Sequence, residues 1–175
     1  MTYKIERFTA EIRIEHFMEK FFEGETVLQK CRECSGFAQT WSCPDFDFDT
    51  ADYWCRFNTY QVICDRISME GVQSPEEAQQ RLFAEKPRFN EEMLALEKTC
   101  PSSEALYAEE CDQCKVCARL SGKPCRFPQI MRYSIESLGG CGVKLVESLF
   151  GFKILWSDGT SVPAYYVLLG GLLKK

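Results

Sequence analysis

The chain contains one histidine, His16, in 175 residues. No Ser/His/Asp or Cys/His pair therefore stands out for nucleophilic catalysis, and a metal centre built on imidazoles is excluded. A basic excess is also missing. Lys and Arg total 21 against 26 Asp and Glu, for a net charge of −5, and they form no block, which argues against a nucleic-acid surface that tracks phosphates. Long apolar runs are lacking too. The longest, Val162 to Leu173, falls short of the ~20 residues needed to span a bilayer and reads as a strand. Met1 to Arg7 carries charge where a signal peptide places its apolar segment, so a cytoplasmic protein is expected, with no membrane partner.

Other motifs fail on inspection. Gly139, Gly140 and Gly142 have neither Gly-x-Gly-x-x-Gly spacing nor a following Lys-Ser or Lys-Thr pair, and they read as a tight turn. Asp45, Asp47, Asp49 and Asp52 suggest calcium, but Thr50 and Arg56 occupy the places where an EF-hand loop needs glycine and glutamate. They read as a solvated acidic loop. The Cys-x3-Cys-x2-Cys spacing of radical S-adenosylmethionine enzymes is absent.

Cysteine is what the chain has in quantity. Eleven cysteines cannot all pair within one molecule, and in a reducing compartment clustered cysteines are read as metal ligands or redox centres. Seven fall into two groups, Cys31-x2-Cys34-x8-Cys43 and Cys111-x2-Cys114-x2-Cys117-x7-Cys125. Three cysteines at successive spacings of three let one loop offer three thiolates to different corners of an iron–sulfur cube, as in bacterial ferredoxins. The fourth departs from that run, since Cys125 is followed by Arg126 and not by proline.

The first group supplies three donors, with Cys64, Cys55, Cys141 or Asp45 available as a fourth. An exchanged arrangement also fits the spacing, with Cys43 completing the site of Cys111, Cys114 and Cys117, and Cys125 that of Cys31 and Cys34. Cys55, Cys64 and Cys100 read as packing residues. Arg126 and Arg132 flank the second group, where they can tune a metal centre, bind an anionic partner or simply pair with the acidic excess.

The expected cofactor is one or two [4Fe–4S] clusters, serving electron transfer or a redox accessory role with a partner protein. The alternatives are a structural zinc module and an enzyme with an open cluster iron.

The surrounding sequence predicts an α+β fold, a single domain with a mixed sheet, flanking helices and cysteine-rich loops. Phe8 to Ile14 alternates as a strand, and His16 to Phe22 suits a short helix ending near Gly24. The first cysteine group lies in apparent loop. Tyr60 to Met69 reads as a strand. Ser74, Pro75 and Glu77 mark a capped helix start, Pro87 predicts a break, and a second helix follows over Asn90 to Lys98. Ala105 to Ala108 is a short strand, Ser134 begins helical material, and Val143 to Phe150 is a helix closed by Gly151. Lys153–Trp156 and Val162–Leu173 form an expected hairpin around Ser157-Asp158-Gly159-Thr160.

Cys31-Arg32-Glu33-Cys34, Trp41-Ser42-Cys43-Pro44, Cys111 through Cys117, Cys125-Arg126-Phe127-Pro128 and Ser134-Ile135-Glu136 together resemble a family of uncharacterised bacterial and archaeal predicted metal-binding proteins. The resemblance covers about residues 27 to 150. Asp45 stands where that family usually has a second proline, and Gly139-Gly140-Cys141-Gly142 where Gly-Ile-Asp-Val tends to follow. The resemblance implies metal binding by thiolates and brings no reaction with it.

Overall fold

The computed structural model describes residues 3–175. Strand β1 (Ile5–Arg13) passes directly into helix α1 (Ile14–Lys20), and α2 (Glu25–Glu33) and the short α3 (Thr50–Trp54) follow. Then come β2 (Thr59–Ser68), the long α4 (Pro75–Thr99), β3 (Ser103–Leu106), a 3-10 turn at Ala118–Ser121, α5 (Gly142–Phe150) and β4 (Tyr165–Lys174). The four strands form one sheet in the order β1-β2-β4-β3. The α+β class is as expected, but every pairing is antiparallel, so the sheet is not mixed.

Both faces of the sheet are covered, and alternation along the central strands sorts their side chains. From β2, Tyr60, Val62 and Cys64 face a core shared with Phe17, Trp54, Leu138 and Leu145. Ile63 and Ile67 face the opposite core, with Phe89 and Met93 of α4. Strand β4 divides the same way, Leu169 and Leu173 to one side and Leu168 and Leu172 to the other. A period of two with both faces apolar is what a strand buried on both sides requires.

Two glycines let this centre close. A Cβ on Gly170 would strike the Leu106 carbonyl oxygen and stand 2.9 Å from the Phe89 ring. Gly171, at φ +142°, has the Gln61 carbonyl oxygen where its Cβ would go. Buried Tyr60 uses the space to donate from its hydroxyl to the Gly170 carbonyl at 2.8 Å.

Several local expectations need correction. Helix α4 runs through Pro87 without a break. The proline removes one hydrogen bond, but Ala78, Lys86, Phe89, Asn90 and Met93 form one continuous buried stripe across it, and packing of that stripe outweighs the local cost. Its start is as expected: Ser74 Oγ accepts from Glu77 N–H at 3.2 Å, and Glu77 Oε2 accepts from Gln73 N–H at 2.9 Å. Lys153–Trp156 is not a strand; β3 pairs with β4 only over Gly171–Lys174, and Lys153 meets the start of β4 through its carbonyl, which accepts from the Tyr165 hydroxyl at 2.7 Å. The Asp158 carboxylate closes that loop by accepting from Thr160 and Ser161 N–H, both at 2.8 Å. Ser134 opens a turn and not a helix, with reciprocal bonds from Ser134 N–H to Ser137 Oγ (3.1 Å) and Ser137 N–H to Ser134 Oγ (3.2 Å). Among the described residues no helix is long and apolar enough to cross a membrane.

Candidate metal centre

The residues around Cys111 are fastened to one face of α4. Ala108 N–H donates to Asn90 Oδ1 at 2.9 Å, and Asn90 Nδ2 lies 3.4 Å from Asp112 Oδ2. Between them, the Lys86 ammonium meets Glu110 at 2.9 Å and Glu109 at 3.4 Å. Lys86 is 4% exposed, and a lysine so buried is tolerated only when paired. Burial works against its charge, but Glu110 and Glu109 hold its pKa above the ordinary lysine value.

The two cysteine segments also grip each other. Cys111 N–H donates to Ser42 Oγ at 2.8 Å. Arg119, between Cys117 and Cys125, donates to the carbonyls of Thr40 (2.7 Å), Cys43 and Asp45 (2.8 Å). Its guanidinium carbon lies 5.3 Å from the Trp41 ring centre, and Trp41 Nε1 donates to the Lys123 carbonyl at 3.0 Å.

The result is a small cavity of about 20 Å³ lined by Cys111, Cys114, Cys117 and Cys125 together with Thr40, Trp41, Gln113, Phe127 and Met131. All four cysteines of the second group thus meet in one place, and Cys125 stands with its own group. All eleven cysteines are free thiols. Burial pushes the Cys111 thiol up to about 11, offset in part by the Gln113 N–H and reinforced by Asp112, Cys125 and Cys114. Among the described residues, no three His, Cys, Asp or Glu side chains are arranged to hold a single metal ion. Four thiols among apolar walls from Trp41, Phe127 and Met131 fit a thiolate-held metal group.

The first group forms a neighbouring cluster. Cys31 lies in the last turn of α2 and Cys34 is its C-cap, so this segment begins in helix and not in loop. Cys34 Sγ accepts from Gly36 N–H at 3.3 Å, and a turn brings Cys43 N–H to the Thr40 carbonyl at 3.2 Å. Burial raises the Cys31 thiol to about 11, and the charges that add to this are those of Glu136, Cys43 and Cys34. Burial also raises Cys43, with the Thr40 hydroxyl working against it and Glu110 and Cys34 adding to it.

The other sequence candidates fall elsewhere. Cys64 is in the core that also holds Phe17 and Tyr60, as a packing residue should be, and Cys100 packs at the edge of the α4 core. Cys55 was expected to pack but is exposed at the end of α3, where no apolar neighbour covers it. Cys141 is buried as the N-cap of α5. Asp49 caps α3 through Ala51 N–H at 2.7 Å, and exposed Asp45 and Asp47 flank Phe46, whose ring stacks 4.9 Å from Phe48. Arg132 pairs with Glu97 at 2.7 Å, and Arg126 donates to the Val116 carbonyl at 2.7 Å. His16 is exposed and edge-on to Phe21.

Sequence reasoning missed Lys86, Asn90 and Arg119. The polar pair at spacing four, immediately around Pro87, was the one local sign that α4 turns polar side chains inward.

No curated protein and no solved structure matches the chain. The model of a predicted metal-binding protein family, DUF2284, matches residues 18–172, nearly the whole length and both cysteine groups, and the chain belongs to that family.

Proposed function

We propose that the protein holds a [4Fe–4S] cluster on Cys111, Cys114, Cys117 and Cys125 and uses it to exchange electrons with a partner protein. The observation that carries this reading is the meeting of all four cysteines of the second group around one cavity. A zinc ion draws four sulfurs to ~2.3 Å from one centre. A cubane cluster takes one thiolate at each iron, so its ligands stay apart around a body of appreciable size. The Cys-x2-Cys-x2-Cys run supports the same choice, because one loop then serves three corners. Bound there, the cluster supplies one-electron oxidation and reduction.

The chain's own residues do the rest. Trp41, Phe127 and Met131 exclude water, and the Gln113 N–H favours the charged form of Cys111; both influences set a cluster's potential. Eleven free cysteines suit the reducing cytoplasm.

The rim of the cavity suits docking of an acidic redox carrier. Between Asp112 and Glu136 there is no acidic residue, while Lys115, Arg119, Lys123, Arg126 and Arg132 all occur. Lys115, Lys123 and Arg126 are exposed, beside Val116 (61% exposed), Leu120 (56%) and Phe127 (40%). A basic, apolar face on a chain of net charge −5 selects a partner of opposite sign.

Iron and acid-labile sulfide, measured per chain on protein purified without oxygen, test this reading. About four of each per cluster are expected, with a loss in Cys114→Ser and none in Cys100→Ser. Zinc without sulfide would replace the redox role with a structural one.

A further inference from the structure

We propose that two copies of this chain associate edge to edge through β1, joining their sheets into one continuous antiparallel sheet. The inference concerns the sheet and is independent of what the cysteines hold.

The two edges of the sheet are finished differently. Strand β3 forms one edge and is four residues long. Glu97 reaches it from α4, and its carboxylate accepts from the Ala105 N–H at 2.6 Å. A short edge with its donor taken by a side chain is protected against further pairing. Strand β1 forms the other edge over nine residues. It pairs with β2 without a bulge from Ile5 to Arg13 and contains no proline, so neither common device breaks its edge.

The hydrogen bonds at the two ends of this pairing fix which groups point outward. The Lys4 carbonyl accepts from Ser68 N–H, and Ile14 N–H donates to the Asn58 carbonyl, both at 2.9 Å. Even-numbered residues therefore bond inward to β2. The alternation of an antiparallel ladder then turns the N–H and C=O groups of Ile5, Arg7, Thr9 and Glu11 outward. The Arg13 N–H points the same way, its residue being the N-cap of α1. Among the described residues no other backbone group bonds to this row, and Arg7, Thr9, Glu11 and Arg13 are exposed.

The row complements itself. A two-fold axis at Thr9 sets Thr9 against the partner's Thr9, Arg7 against the partner's Glu11 and Ile5 against the partner's Arg13. Each pair brings outward backbone groups face to face. Moving the axis to Arg7 or to Glu11 opposes like charges and shortens the ladder. Charged side chains usually guard an edge by repelling a second strand. Here Arg7 and Glu11 differ in sign, so the symmetric register gains an opposite-charge pair on each side of the axis. Such a contact uses the same patch twice and closes at two copies.

The contact is remote from the four-cysteine cavity. Glu92 and Arg88 of α4 face the edge, where they meet Arg7 and Asp65. Lys86 and Asn90, which hold the Cys111 segment, lie on the opposite side of the same helix.

Light scattering and sedimentation over about 1–100 µM protein test the proposal. A thiol reductant is present throughout, so that no disulfide between copies contributes. Wild type is expected at twice the chain mass at the upper concentrations. Thr9→Pro removes an outward N–H at the axis and leaves the ladder to β2 intact, so it should be a folded monomer. Glu11→Arg opposes Arg7 on both sides of the axis and should raise the dissociation constant by about tenfold. Both variants should keep the metal content of wild type. A wild type that is monomeric over the whole range overturns the proposal. So does a dimer that persists unchanged in the variants, which places the contact elsewhere on the molecule. If Thr9→Pro does not fold, Glu11→Arg decides, because within its own chain the Glu11 carboxylate meets only the Lys174 ammonium.

Discussion

Lys86 shows how a single side chain can matter to a metal it never touches. Its ammonium holds Glu109 and Glu110 in place immediately before Cys111. Lys86→Met keeps the buried stem and removes the charge. The two glutamates are partly exposed, so the expected loss of stability is modest, about 1–2 kcal/mol. The larger effect falls on the loop: metal should pass to a chelator faster than from wild type, followed by absorbance. The thiols make a second prediction. Burial raises Cys31 and Cys111 to about 11, so at neutral pH both are protonated before metal arrives. Metal must displace those protons, so loading releases acid and affinity climbs with pH until the thiols ionise at about 11. A weakly buffered titration with a pH indicator reads this directly, and metal uptake without acidification would contradict it. The ligand cysteines were legible in sequence because thiolate chemistry and spacing identify them. Lys86 was not, because burial of a charged residue is decided by chain segments far away.

Helix α4 and strand β4 mark where local pattern succeeds and where it fails. The capped start of α4 was readable from Ser74, Pro75 and Glu77, since those groups satisfy one another within one turn. Its passage through Pro87 was not, because the compensating stripe includes Lys86 and Asn90, polar residues that pattern reading assigns to solvent. Pro87→Ala should therefore stabilise the protein, by about 2 kcal/mol after the loss of proline's restraint on the unfolded chain is subtracted. Differential scanning calorimetry should show a higher melting temperature, and an unchanged or lower value would mean that the proline geometry itself positions the helix. Gly170→Ala is expected to act the other way, by about 1–3 kcal/mol, because the Leu106 carbonyl and Phe89 ring leave no room. The alternation that placed β2 and β4 in the sheet was legible. The absence of a partner strand at Lys153–Trp156 was not, since an Asp-Gly turn predicts a hairpin whether or not the segment before it pairs, and here Asp158 closes the loop on Thr160 and Ser161 instead.

At the scale of the whole molecule, charge is unevenly distributed. The net charge is negative, yet the stretch from Gln113 to Ile135 carries only cations and borders the four-cysteine cavity. Reversing Lys115 and Lys123 to glutamate should slow electron exchange with an acidic donor protein about tenfold at low salt, and should narrow the gap as salt is added. A stopped-flow series over ionic strength measures this; equal rates at low salt would remove the docking face. The order of the strands has a consequence for synthesis. Every cysteine precedes β4 in the sequence, and β4 is the strand that joins β2 to β3. As the chain leaves the ribosome, its thiols emerge while β3 still lacks its sheet partner and α4 lacks half of the floor it packs on. For that interval the cysteines are nucleophiles without a scaffold, open to oxidation and to adventitious metals. Faithful loading therefore belongs after β4 has docked and the two cysteine segments have been brought together.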